Sequence, residues 1–260
     1  MSLIEARNVR FGYVRERPVV VSTSLSLERG SMGAIIGSNG CGKSTLIRLL
    51  AGLLQPEEGE VLFDRVLLSR IDRKAFARNV AYVPQNTSRA FPFRALEVVL
   101  TGRSPHLPRF KLENSVDVEK ARHALDIVGV LHLAHRRVTE LSGGERQLVS
   151  VARALAQEPS CVLLDEPSSS LDLKHRAGLI RTLGNLRNLT GLTVLMVTHD
   201  LTLLDPSFDV VFAMRCGTID SVGTPSEVLR DSVLAKIYDD DHIRARHMDG
   251  RTYVWSEIQP

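Results

Sequence analysis

Eight consecutive residues constrain this chain more than any others. Gly37-Ser38-Asn39-Gly40-Cys41-Gly42-Lys43-Ser44 follows the apolar run Met32–Ile36 and opens a stretch, 44–51, whose apolar residues recur at helical spacing before Gly52 stops it. GxxxxGK[ST] between a buried strand and a helix is the pattern of a phosphate-binding loop. Its glycines let the backbone curl until several N–H groups converge on one anion, and the following helix N-terminus adds its partial positive charge. On this reading residues Gly37, Ser38, Asn39, Gly40, Cys41, Gly42 and Thr45 cradle the phosphates. Lys43 reaches the β- and γ-phosphates, and Ser44 offers its hydroxyl to Mg²⁺.

Around the loop, short apolar runs alternate with stretches of helical period, which predicts an α/β fold. Strands are expected at Cys161–Leu164, Thr193–Val197 and 210–214, the last followed by a Cys216-Gly217 turn. Two earlier strands, 3–9 and 19–27, alternate apolar and polar residues, the second clearly and the first only roughly, and predict a half-exposed antiparallel subdomain. Between about 86 and 157 helical periodicity takes over, interrupted by Pro105, Pro108 and the basic loop near Arg109; this reads as an inserted helical lobe. The expected organisation is one domain over 1–225 and a tail over 226–260, with a single helix at 226–238 and a polar end.

Composition narrows the class. The 260 residues are 43% hydrophobic and 24% charged, which excludes a disordered, collagenous or coiled-coil chain. No apolar run reaches the roughly 18 residues needed to cross a bilayer, and no leader-like apolar stretch follows Met1. A soluble, intracellular protein is the expectation. The net charge is only +3, and the 27 Arg and 6 Lys are dispersed without interleaved aromatics, so nucleic acid is not an expected partner. Cys41, Cys161 and Cys216 have neither even number nor CxxC spacing and read as small apolar fillers.

Asp165-Glu166 ends the strand at 161–164. A carboxylate at the end of a buried strand can hold Mg²⁺ through its water shell, and the adjacent Glu166 is placed to deprotonate an attacking water. Leu141-Ser142-Gly143-Gly144-Glu145 puts two glycines behind Ser142 at the start of a helix, a second anion site on the same chain, with Ser142 and Glu145 also spaced as a capping box.

Taken in order, these motifs resemble ATP-binding-cassette ATPases. Leu141–Glu145 is similar to the family's signature. Tyr13 resembles the aromatic that stacks on adenine, a reading favoured here although a Tyr near a strand end is often core. Gln85 resembles the glutamine that joins the two lobes, where it contacts Mg²⁺ or its water. Ser170-Leu171-Asp172 is similar to the loop that crosses to the partner subunit, and His199 to the switch histidine that donates to the γ-phosphate. The resemblance implies a P-loop NTPase core with a mixed, mainly parallel sheet, ATP as substrate, and Mg²⁺ held by Ser44, Gln85 and Asp165. It further implies catalysis by Glu166, His199 and Gln85. In a head-to-tail homodimer, Ser142, Gly143, Gly144, Glu145 and Asp172 of one subunit would meet the other's nucleotide. Ser38 departs from the proline common there, without impairing the backbone cradle.

One phosphate loop and no membrane span point to a separate ATPase subunit. The stretch 98–106, Val-Val-Leu-Thr-Gly-Arg-Ser-Pro-His, is similar to one in ATPases serving importers of ferric siderophores, haem and cobalamin. That subgroup implies two many-span permease subunits, a substrate-binding protein reached indirectly, and a place on the cytoplasmic face of the inner or plasma membrane. Residues 86–93 would line the groove facing the permease, with Phe91 and Phe93 either contacting it or packing in the lobe. Tyr253 and Trp255 would pack on the core or join two tails. The competing expectation is a soluble ATPase of the same family that drives assembly of a protein or iron–sulfur complex without a permease.

Overall fold

The computed structural model describes residues 1–85, 92–108, 112–204, 207–248 and 251–257; residues 86–91 and Arg109, singled out above, lie outside these. The chain forms two compact units, one of Met1–Ile71 with Thr193–Pro260, the other of Asp72–Leu192.

The first unit opens with β1 (Ser2–Phe11) and β2 (Val20–Glu28), then β3 (Met32–Ile36), α1 (Lys43–Leu50), β4 (Glu58–Phe63) and the short β5 (Val66–Leu67). The antiparallel subdomain has the order β2-β1-β4-β5. Its first strand alternates poorly for a local reason. Asn8 sits at φ 48°, the register with β2 shifts between Ala6 and Val9, and the inward side of the strand changes phase there. With a second register shift between Ser2 and Ile4, this β-bulge leaves Leu3, Ile4, Ala6 and Val9 all buried.

The second unit contains α2 (Arg73–Asn79), β6 (Val80–Val83), α3 (Ala95–Leu100), α4 (Ser115–Ile127), α5 (Gly143–Ala156), β7 (Cys161–Asp165) and α6 (Leu173–Thr190). β6 and β7 pair in parallel, Val80 with Cys161 through Val83 with Leu164. α3 and α4 both pack on α5. Pro105 lies within a 3-10 turn, Thr101–His106, that follows α3 directly.

Back in the first unit, β8 (Thr193–Val197), β9 (Val210–Arg215) and β10 (Thr218–Gly223) flank β3 in the order β10-β9-β3-β8. β3 runs parallel to β8 and β9, and β10 is antiparallel to β9, so the sheet is mixed and mainly parallel. β3 and β8 are buried along their whole length, as strands covered on both faces must be.

The tail differs from the expected single helix with a polar end. α7 (Pro225–Val228) carries its own capping box, Thr224 with Glu227, and the chain turns extended at Arg230 before α8 (Asp231–Tyr238) starts. The break lets Leu229, Leu234 and Ile237 all enter the core. The end is a hairpin of β11 (Ile243–Met248) and β12 (Arg251–Ser256). One of its faces is inward, with Thr252 buried, and the other exposes Arg246, Tyr253 and Trp255. The two aromatics therefore do not pack in the core.

Cys41 and Cys161 are buried as expected, but Cys216 is exposed. It occupies a tight turn at φ 46° beside Gly217, so its position follows from the β9–β10 connection rather than from apolar packing.

Candidate functional site

The phosphate loop is built as its composition requires. Gly37 has φ 147°, and a Cβ there would lie 2.2 Å from Met214 O and 2.9 Å from Cys41 Sγ. Gly42 has φ 106°, and its Cβ would meet Val19 O at 2.6 Å. Only glycine fits at either position. Lys43, at the first position of α1, is buried, and its Nζ donates to Gly37 O at 2.8 Å and to Ser38 O at 2.9 Å. The ammonium is thus fixed over the mouth of the loop. Ser44 and Thr45 follow in the first turn of α1, whose leading N–H groups have no intrahelical acceptors and make an anion cradle.

Two further side chains reach this loop. Tyr13 is exposed, with its ring edge-on to Phe11 at 5.1 Å, its hydroxyl 3.5 Å from Thr45 Oγ1, and Arg48 donating to that hydroxyl. It is not a core residue; its ring is available to a flat partner. Tyr238, on α8, was not legible in the sequence. Its hydroxyl is buried beside the Gly37 backbone, and burial pushes the phenol up to about 12, the Gly37 backbone pulling the other way. The tail therefore supports the back of the loop. His199 follows β8 and is exposed.

In the second unit the carboxylates stand at the end of β7. Asp165 is fully buried and accepts a hydrogen bond from Tyr82 Oη at 3.1 Å. Glu166 turns to φ 49°, a strained value for a side chain of its size, and its Oε2 accepts from Gln85 Nε2 at 2.6 Å. The parallel register of β6 and β7 carries both residues to the same end, which is why positions 81 residues apart meet.

The second anion site also takes shape within this unit. Ser142 caps α5: its Oγ accepts from Glu145 N, and Glu145 Oε2 accepts from Ser142 N at 2.7 Å. That backbone donor, before any other contact, holds the Glu145 carboxyl below its usual range. Asp172 caps α6 and accepts from His175 N at 2.9 Å. Ser142, Gly143, Gly144, Glu145 and Asp172 line one cavity of about 820 Å³ with Ser170. A Cβ on Gly144 would stand 3.0 Å from Ser170 O, so the glycine permits the two segments to approach.

Hard oxygen donors suited to Mg²⁺ are present: the Ser44 hydroxyl in one unit, and the buried Asp165 carboxylate and Gln85 amide in the other. Each is of the donor type that Mg²⁺ takes. Phe93, a candidate outer contact, is exposed rather than packed in the lobe.

Comparison with known proteins bears on the family and the fold. The family model described as ABC transporter matches residues 20–169. The ferric enterobactin transport ATP-binding protein FepC of Escherichia coli is 36% identical over 85% of this chain and 81% of its own. The hemin import ATP-binding protein HmuV of Myxococcus xanthus is 39% identical over 82% of each. Among solved structures, an inward-facing metal-chelate type ABC transporter superposes with a TM-score of 0.80 at 29% identity, covering 98% of this chain and 96% of that one. The dimeric cassette MJ0796 superposes at 0.76 with 26% identity, over 86% and 99%.

Proposed function

Since the chain belongs to the ABC transporter family, we propose that it is the ATP-hydrolysing subunit of a membrane importer whose cargo is a ferric siderophore, haem or a like metal chelate. The single observation that carries the catalytic part is the Gln85–Glu166 contact, in which the amide donates to the carboxylate and holds it at the strand end. The names of the relatives support the cargo class.

Each residue has a role on this reading. Tyr13 stacks on the adenine, and the loop 37–45 binds the phosphates through backbone N–H groups and Lys43. Mg²⁺, held by Ser44, Asp165 and Gln85, would neutralise phosphate charge when bound. Glu166 accepts the proton of the attacking water, Gln85 orients that water, and His199 donates to the γ-phosphate. In-line attack then yields ADP and phosphate. Ser142, Gly143, Gly144, Glu145 and Asp172 close on the nucleotide of a second copy, which the cavity they share supports. ATP favours the closed homodimer, product release the open one, and two many-span permease subunits follow that motion. No helix among the described residues is long and apolar enough to cross a membrane, so the subunit would attach peripherally at the cytoplasmic face through the permease.

The experiment is transport itself: proteoliposomes of the subunit with its permease should accumulate ferric chelate only with ATP inside the compartment that holds the subunit. Accumulation equally fast without ATP contradicts the proposal.

A further inference from the structure

The stretch 98–106 has no part in the site described, yet it ends in a dense polar knot within the second unit. Gly102 lies so close to α5 that a Cβ would stand 2.2 Å from Arg153 O. Arg103 is 4% exposed, and its guanidinium donates to Asp117 Oδ1 on α4 (3.1 Å), to Ala156 O at the end of α5 (2.7 Å) and to Glu158 Oε2 (2.9 Å). Lys120 also bonds Glu158, at 2.6 Å. Three more contacts tie the same segment down: His106 Nε2 to Gln157 O (2.8 Å), Arg78 Nε to Pro105 O (2.9 Å), and Lys74 Nζ to Leu107 O.

This knot sits where β6 and β7 begin. Gln157 Nε2 donates to Val80 O at 2.8 Å and Ser160 Oγ to Asn79 O at 3.2 Å, fixing the entry of both strands. The pair then runs in register for four positions and delivers Gln85 and Glu166 to contact at its far end. Two parallel strands are stiff along their length, so a shift at the entry becomes a shift at the exit, roughly 15 Å away at ~3.3 Å per residue.

We propose that Arg103 is a positioning residue for the Gln85–Glu166 pair, acting through the 156–160 segment and the β6–β7 register. The proposal rests on the reading that this pair handles the attacking water, and it adds how the lobe controls it. A fork of donors serving three acceptors on two segments, α4 and residues 156–158, is needed; a lysine point charge cannot hold all three in the same geometry. Demonstrating coupling over such a distance takes energetics, not proximity.

The test is steady-state turnover of the full chain with Mg²⁺ and ATP, beside nucleotide affinity from a fluorescent ATP analogue and the melting temperature. Arg103→Lys and Asp117→Asn should lower kcat about tenfold or more, since ~1 Å of misplacement can cost 10²-fold, with affinity within about twofold because Lys43 and its loop belong to the other unit. Glu158→Gln, at a half-exposed carboxylate, should do the same more mildly and serves if the buried variants fold poorly. In a Glu166→Gln background the same substitutions should cost little further, since the group they position is already disabled. Unchanged kcat in folded variants, affinity falling in step with kcat, or an equal loss in the Glu166→Gln background each overturn the proposal. Absence of turnover in the wild type sinks the ATPase reading and this proposal with it; a working wild type with indifferent variants sinks the proposal alone.

Discussion

Replacing Gly37 by Ala adds one methyl group at the tightest point of the phosphate loop. At φ 147° an alanine is strained, and its Cβ would stand 2.2 Å from the Met214 carbonyl and 2.9 Å from Cys41 Sγ. Backbone strain of this kind costs ~1–3 kcal/mol, and forcing a methyl into packed surroundings a further ~1–3 kcal/mol, so about 2–6 kcal/mol together. The loop can escape only by moving off Met214, and nucleotide binding must then restore its shape. Even the lower bound corresponds to about thirtyfold in affinity. Gly40 is the control: it also has positive φ, at 78°, but open space around its Cβ, so Gly40→Ala meets strain alone, ~1–2 kcal/mol. Gly184, within α6 and equally open, should stabilise the fold by ~0.5–1 kcal/mol as alanine. Titration with a fluorescent ATP analogue, alongside thermal unfolding, ranks the three. Gly37→Ala binding within threefold of wild type at an unchanged melting temperature would refute the reasoning.

Other outcomes follow from the same contacts. Glu166→Gln should keep ATP binding and lower turnover by ~10²–10⁴, read by phosphate release; turnover above a tenth of wild type removes Glu166 as the base. Lys43→Ala takes away the ammonium fixed by Gly37 O and Ser38 O and should abolish binding or turnover, so unchanged activity would refute the loop assignment. Ser142→Ala deletes the cap of α5 and should cost about 1 kcal/mol of stability, measured by denaturant unfolding, with a variant as stable as wild type counting against the cap. The Asn114 backbone, and with it Arg103, holds the Asp117 carboxyl below its usual value against the opposing effect of burial. A depressed carboxylate contributes stability above its unfolded pKa of about 3.9 and loses it as pH falls through the lower folded value. Unfolding free energy should therefore drop from about pH 4 downward, and less steeply in Asp117→Asn; identical slopes would contradict the assignment.

Most of the site could be read in the sequence because its chemistry is local. The loop 37–44, the Ser142–Glu145 box and the Asp165-Glu166 strand end each lie within a few residues, where spacing alone dictates backbone geometry. The sheet strands that carry them are continuous apolar runs. What escaped depends on tertiary contacts. The meeting of Gln85 with Glu166 needs the β6–β7 register, and the Tyr238 hydroxyl behind Gly37 needs α8 folded back on the loop. Arg103 reads as one cation among many until its three acceptors, from segments up to 55 residues away, are brought together. The terminal hairpin had a legible sign, Asp249-Gly250 between roughly alternating runs. The break at Arg230 did not, because helical periodicity continues across it and only the burial of Leu229 decides against one helix.

The central claim is that ATP turnover here serves a permease. Tagged Glu166→Gln protein, captured from gently solubilised membranes with ATP and Mg²⁺ and identified by mass spectrometry, tests it most directly. The account predicts a many-span permease in stoichiometric amount. A soluble scaffold partner, with no permease in any detergent, would contradict it.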